Sequence, residues 1–405
     1  MTLLDQKFSQ LATDNAPGQE GRQAGIDLSG LLLGDRLLGA PVDFSHGDVD
    51  AFTPTPGSLE AFAGAVHSGG KRAYTEYRGD PEIRDDVAVK LARFTGTPIS
   101  SAEGLIITPG TQGALFLALA STVSAGDKVA IVRPDYFANR KLVQFLGGEI
   151  VPVGLNYLGV QREAGLDLAG LKDAFQAGAK VFVFSNPNNP TGAVYSKEEI
   201  DAIAALAARY GATVVVDQLY ARLKYSGVDY AHLCATDIDP ANVITILGPS
   251  KTESLSGYRL GVAFGAPTII GRMEKLQAIV SLRAAGYNQS ALRTWFAEPY
   301  GWMTERIQLH EAIRNDLHSR FVSVEGICAR LPQAGSYLFP RLPKLSITHQ
   351  DFVRVLRHHA SVSVTPGTEF SPLSSDSIRL NFSQEHSRAL DAVDRIVELV
   401  ERYRA

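Results

Sequence analysis

Three features of the chain predict an α/β fold, a mostly parallel sheet between helices with a second, smaller α+β domain. From about residue 104 to 265, short β-branched runs alternate with helical stretches, the pattern of strands buried on both faces by crossover helices. Residues 196–210 carry the start and stop signals of a helix inside one such unit. After about residue 270 the pattern changes to longer amphipathic helices, then short strands and a closing helix. A chain of 405 residues, 45% hydrophobic and 20% charged, has ordinary globular composition and room for one large or two medium domains.

The elements follow in order. The first 55 or so residues are rich in Gly, Pro and Asp with weak periodicity, and are expected to wrap over other parts or join the smaller domain. Residues 104–126 lack charge, but Pro109, Gly110, Thr111, Gln112 and Gly113 would leave backbone groups unsatisfied in lipid. They read as strand, turn and buried helix. The strands are expected at 105–108, 128–133, 181–185, 213–217, 243–247 and 261–264. Ser196 and Glu199 form an S-x-x-E capping box, and Gly211 stops that helix before the next strand. Short strands follow around 335–340 and 377–382, and the closing helix starts at Ser387. The expected division is a large domain over 55–295 and a small one from 1–54 and 296–405.

Lys plus Arg total 39 against 43 Asp plus Glu, a net charge of -4. No basic surplus argues for nucleic acid or an anionic membrane, so small-molecule chemistry is expected. Cys234 and Cys328 stand far apart in no C-x-x-C pattern, which fits a reducing cytoplasm and gives neither a disulfide framework nor a metal site. The opening M-T-L-L-D-Q-K places an acid and a base before any long apolar core, so no secretory signal is expected.

Ligands of open α/β sheets gather where the strands end, and chemistry is sought there. Lys251 stands eight residues before Arg259 in S-K-T-E-S-L-S-G-Y-R-L-G. A lysine reacts with an aldehyde as the neutral amine, and a nearby guanidinium both lowers its pKa and holds a phosphate. The pair points to pyridoxal phosphate, although a solvated Lys and Arg on a Ser/Gly loop would look the same. After 105–108 comes P-G-T-Q-G, in which Gly110, Thr111 and Gln112 open a helix whose free N–H groups suit an anion or simply a cap. N-P-N-N-P-T-G presents Asn189 at a strand end, where its carboxamide could donate to a phenolate or serve a turn. Asp217 follows T-V-V-V. A buried carboxylate needs a partner; a protonated pyridine nitrogen is one, the cap of the next element another. Tyr220, three residues on, can reach a ring hydroxyl.

The order of these motifs resembles the fold type I pyridoxal-phosphate enzymes, and within them the class I and II aminotransferase family related to aspartate aminotransferase. The matching residues are G-T-Q at 110–112, N-P-T-G at 189–192, D-x-x-Y at 217–220, S-K at 250–251, G-x-R-x-G at 257–261 and I-R-L-N-F at 378–382. The resemblance spans nearly the whole chain. It implies a seven-stranded, mostly parallel sheet and a ping-pong transfer of an amino group from an L-amino acid to a 2-oxo acid. By it, Lys251 covalently binds the cofactor and shuttles the proton, and Arg259 with 110–112 holds the phosphate. Asp217 pairs with the ring nitrogen, Asn189 and Tyr220 meet the ring hydroxyl, and Tyr136 in P-D-Y-F stacks on the ring or is a core residue. Arg379 matches the family's α-carboxylate arginine. D-F-S-H-G-D-V-D-A-F-T-P-T-P resembles the substrate loop, with Gly47 near the ligand and Asn189 also facing substrate. Tyr74 matches a tyrosine that reaches the neighbouring subunit's phosphate, which implies a homodimer.

Three departures stand out: Gly248 where relatives carry a hydroxyl, Glu253 where they carry an aromatic, and Gln218 in place of a glutamate. Glu253 is expected near Lys251, raising its pKa or selecting a cationic substrate. Arg283 could bind a dicarboxylate or sit in solvent. Rival readings are another reaction on the same scaffold (C–S β-lyase, decarboxylase or oxidase) and a non-catalytic binding module.

Overall fold

The computed structural model describes residues 2–11, 28–47 and 51–405. Early in the chain lies a short strand, β1 (Val42–Asp43). The main sheet then takes β2 (Leu105–Pro109), β3 (Lys128–Arg133), β4 (Glu149–Gly154), β5 (Ala179–Ser185), β6 (Thr213–Asp217), β7 (Val243–Leu247) and β8 (Leu260–Gly265). Their spatial order is β2-β8-β7-β6-β5-β3-β4. Neighbours from β4 to β7 run parallel, while β8 lies antiparallel between β2 and β7. The carboxyl ends of β2 to β7 therefore share one edge of the sheet, and β8 begins there. Val129 to Val132 and Val214 to Val216 are buried, as strands covered on both faces must be.

Six of the seven strands lie where the hydrophobic runs predict. The seventh, β4, escapes them: it is E-I-V-P-V-G, preceded by two glycines and with a proline inside. It forms because it is the edge strand, where Pro152, opposite Ile131, has no outer neighbour needing its missing N–H. The helix Lys197–Tyr210 keeps its capping box: Ser196 Oγ accepts from Glu199 N at 3.1 Å, and Glu199 Oε2 accepts from Ser196 N at 2.8 Å. Gly211 ends it in the left-handed region, φ +61°.

A separate apolar core gathers Phe44, Leu317, Phe321, Phe352, Ile396, Leu399 and Tyr403. It lies among the helices Trp302–Val322, His349–Ala360 and His386–Tyr403 and the strands β9 (Tyr337–Leu338), β10 (Val362–Ser363), β11 (Thr365–Pro366) and β12 (Ile378–Asn381). β1 pairs with β10, and β12 lies between β11 and β9. Residues 28–47 lean on this core: Tyr403 donates its hydroxyl to Leu31 O at 2.6 Å and accepts from Leu33 N at 2.8 Å.

Candidate active site

At the shared edge the helix Gly110–Thr122 begins directly after β2. Gly110 has φ +76°, and Pro109 gives no side-chain cap, so the first-turn N–H groups stay open to an anion. Across from it, a Cβ on Gly261 would lie 2.4 Å from Gly110 C and Thr111 N. Only glycine lets the two strands close here. Arg259 is left-handed at φ +52°, which brings its guanidinium so near Gly110 that a Cβ there would lie 2.6 Å from Nη2. Gly248 has the same kind of cause. A Cβ would meet Thr111 Cγ2 at 2.8 Å, so the space a hydroxyl side chain would need at 248 is filled by Thr111.

Thr111, Gln112, Tyr136, Asn189, Asp217, Tyr220, Lys251 and Arg379 line one cavity of about 250 Å³. Among the described residues Lys251 Nζ has no hydrogen-bond or ion-pair partner. Asp217 accepts from Leu219 N at 3.0 Å and pairs with no described cation; burial pushes its carboxyl up to about 6 against that one hydrogen bond. Tyr136 donates its hydroxyl to Gln112 Oε1 at 2.9 Å. Tyr220 donates to Tyr337 Oη at 2.5 Å, and burial raises its own phenol well above the ordinary value. Arg379 donates from Nη1 to Asn189 Oδ1 at 3.2 Å and from Nη2 to Ser45 O at 3.0 Å. Its buried Nε has no partner. By engaging the amide oxygen, Arg379 orients Asn189 so that the NH₂ end is left to donate.

Gly47 lines an adjoining cavity of about 480 Å³ that shares Lys251 and His46 with the first; residues 48–50 of the substrate-loop motif lie outside the described residues. Tyr74 lines neither cavity. It is 78% exposed, under the Arg283 guanidinium at 4.9 Å. Arg283 also donates to Thr75 O at 2.6 Å, so it does not stand free in solvent. Glu253 corrects an expectation. Its carboxylate is buried, lines neither cavity and pairs with Arg222, which also binds Glu298 at 2.7 Å. A buried carboxylate takes a cation where one is within reach, and the Arg222 side chain, rising from the loop after Tyr220, supplies it. Gln218 likewise turns away, its Oε1 3.0 Å from His232 Nδ1.

This donor set fits pyridoxal phosphate: a carboxylate lacking a cation, an unpaired amine, a glycine-lined helix start beside an arginine, and an aromatic wall. A family model for aminotransferases of class I and II matches residues 41–396. The chain belongs to that family. It is 28% identical over 393 residues to the aspartate aminotransferase of Geobacillus stearothermophilus, covering 95% of this chain and 93% of that one. It is 30% identical over 368 residues to that of Sulfolobus acidocaldarius, covering 89% and 90%. A crystal structure described as an aspartate aminotransferase from Rhodobacter sphaeroides superposes with a TM-score of 0.95 at 62% identity, covering 99% of this chain and all of that one. The chain is thus a pyridoxal-phosphate-dependent aminotransferase.

Sequence reasoning missed Ser45, His46, Ser185 and Tyr337 among the polar residues of this aminotransferase's cavity. Tyr337 lies under Arg379, 4.2 Å from ring centroid to guanidinium carbon. Burial pushes its phenol up, but Arg379, Lys251 and the Tyr220 hydrogen bond outweigh that and hold it below the ordinary tyrosine value. It stands two residues after Gly335 on the two-residue strand β9, too short a run for periodicity to show which way the side chain faces.

Proposed function

We propose that this aminotransferase moves the amino group of L-aspartate to a 2-oxo acid by a ping-pong mechanism, as a cytoplasmic homodimer. The donor rests on the 62% identity to the Rhodobacter sphaeroides structure described as an aspartate aminotransferase. The site assignment rests on one observation above all: an unpaired lysine, an uncompensated carboxylate and an arginine with a free Nε face a single 250 Å³ cavity.

Pyridoxal phosphate, when bound, supplies an aldehyde for the amino group and a ring that withdraws electrons from the substrate Cα. Gly110, Thr111 and Gln112 with Arg259 hold its phosphate end, Tyr136 covers a ring face, and Asn189 and Tyr220 donate to the ring oxygen. Asp217 keeps the proton on the ring nitrogen. Arg379 binds the substrate α-carboxylate, with Asn189 held beside it and Gly47 leaving room for the approach. Lys251 Nζ takes the α-proton and holds it for return, the task its place between the cavities suits. The large domain, 55–295, supplies the cofactor contacts; the small one, from 1–54 and 296–405, brings Arg379.

The dimer is supported by an exposed apolar patch: Tyr74, Ile279, Val280 and Leu282 lie around Arg283. A second copy would cover it and receive Tyr74 at its own phosphate end. No described helix is long and apolar enough to cross a membrane. Initial rates for a panel of amino acids with 2-oxoglutarate test the donor. Aspartate is expected to give the highest kcat/KM; no turnover of aspartate alongside turnover of another donor refutes the choice.

A further inference from the structure

Past β3, Pro134 turns the chain so that Asp135 lies beneath the ends of β5 and β6. Its carboxylate is buried, 2% exposed. Oδ2 accepts the main-chain N–H of Ser185 at 2.9 Å, and Oδ1 accepts that of Tyr136 at 2.6 Å. Oδ1 also accepts the Ser185 hydroxyl in a short hydrogen bond. Ser185 Oγ in turn accepts the N–H of Asn189 at 3.1 Å. Thus one carboxylate reaches Tyr136 directly and Asn189 through a single serine, and Ser185 itself lines the cavity and faces Asp217 across the β5–β6 ladder.

A turn closed for stability alone has no use for this group. Among the described residues no cation pairs with Asp135, burial pushes its carboxyl up to about 8, and nearby Asp217 adds to that push. A buried carboxyl with no cation beside it is costly, yet the neutral amide of the same shape has a single acceptor oxygen and could not hold both main-chain N–H groups. What the carboxyl adds is two oxygens on one rigid group that between them meet three donors. All three donors belong to residues that line the cavity.

We propose that Asp135 is a positioning residue: it fixes Tyr136 and, through Ser185, Asn189 as one unit facing the cofactor. The proposal rests on the reading of those two residues as cofactor contacts. Asp135→Asn keeps the shape and replaces one acceptor oxygen by an NH₂ donor; Ser185→Ala cuts only the hydroxyl link. In each variant the dissociation constant of pyridoxal phosphate from the apoenzyme and the pH midpoint of the visible absorption of the lysine-bound cofactor are measured. Each substitution is expected to raise the dissociation constant on the order of tenfold, the scale on which outer partners of a binding group act. Each moves the midpoint toward higher pH, since a loosened Asn189 no longer holds the ring oxygen's charge. The double variant is expected to be no worse than the stronger single one, because both act through one chain.

Wild-type values for both quantities in Asp135→Asn, or effects that add independently in the double variant, overturn the proposal. Should Asp135→Asn fail to fold, Ser185→Ala decides alone: it leaves both main-chain hydrogen bonds to Asp135, and wild-type behaviour in it is fatal. A wild-type enzyme with no lysine-bound absorption would instead remove the site assignment, and the proposal with it.

Discussion

Asp217 is a carboxyl that burial disfavours and that no described cation offsets. Its value rises from 3.8 to about 6 through burial. Between those values the folded chain holds a proton that the unfolded chain has released, so stability falls as pH rises through this window and the full cost is present above about 6. A protonated ring nitrogen beside the ionised carboxylate removes that cost. Pyridoxal phosphate is therefore expected to raise Tm more near pH 8 than near pH 5, and an equal rise at both would contradict the pairing. Replacing Asp217 by Asn should lower kcat roughly a hundredfold or more, the scale of losing a group that stabilises developing charge. Tyr337→Phe removes the acceptor for Tyr220 and keeps the ring under Arg379. The loss is about 1 kcal/mol, or roughly a fivefold fall in kcat, with KM for the amino acid unchanged. Lys251, Asp217, Asn189 and Arg379 were legible because each follows or sits in a strand whose boundary the sequence marks. Asp135 and Tyr337 were not, since their importance lies in partners fifty and more than a hundred residues away.

At the scale of elements, the helix signals were legible where local chemistry decides them. The capping box at Ser196 is one, yet Glu199 does more than the motif shows. Its carboxylate also accepts N–H groups of Ala164, Gly165 and Leu166 at 2.9, 2.8 and 2.8 Å. Ser196→Ala should cost about 1 kcal/mol, while Glu199→Ala should cost more, because it strands those buried donors; denaturant unfolding of the two variants checks the order. The edge strand β4 was hidden by its proline, which breaks the pattern but not the ladder. The loop after β7 departs from its relatives for packing reasons that no local pattern reveals. Gly248→Ser would press on Thr111 Cγ2 rather than add a phosphate donor, so the variant is expected to bind pyridoxal phosphate more weakly than wild type in an apoenzyme titration. Glu253 packs with Arg222 and Glu298 under the lysine loop. Arg222→Met leaves two carboxylates without their shared cation and should cost about 3 to 5 kcal/mol in unfolding free energy.

For the whole molecule, the fold follows from where the strands end. One sheet edge collects the residues proposed to hold the cofactor, and β12 carries Arg379 in from the second core. The exposed patch at Tyr74, with Ile279 at 85% exposure, makes the proposed dimer testable: Ile279→Asp should shift the sedimenting mass toward a single chain and lower activity. An unchanged mass would move the interface elsewhere. The central claim is that Lys251 carries the cofactor. Borohydride reduction of the enzyme loaded with pyridoxal phosphate, followed by peptide mass mapping, should place the reduced label on Lys251 alone, and Lys251→Ala should take up none. A label on another lysine, or a labelled Lys251→Ala variant, would contradict it.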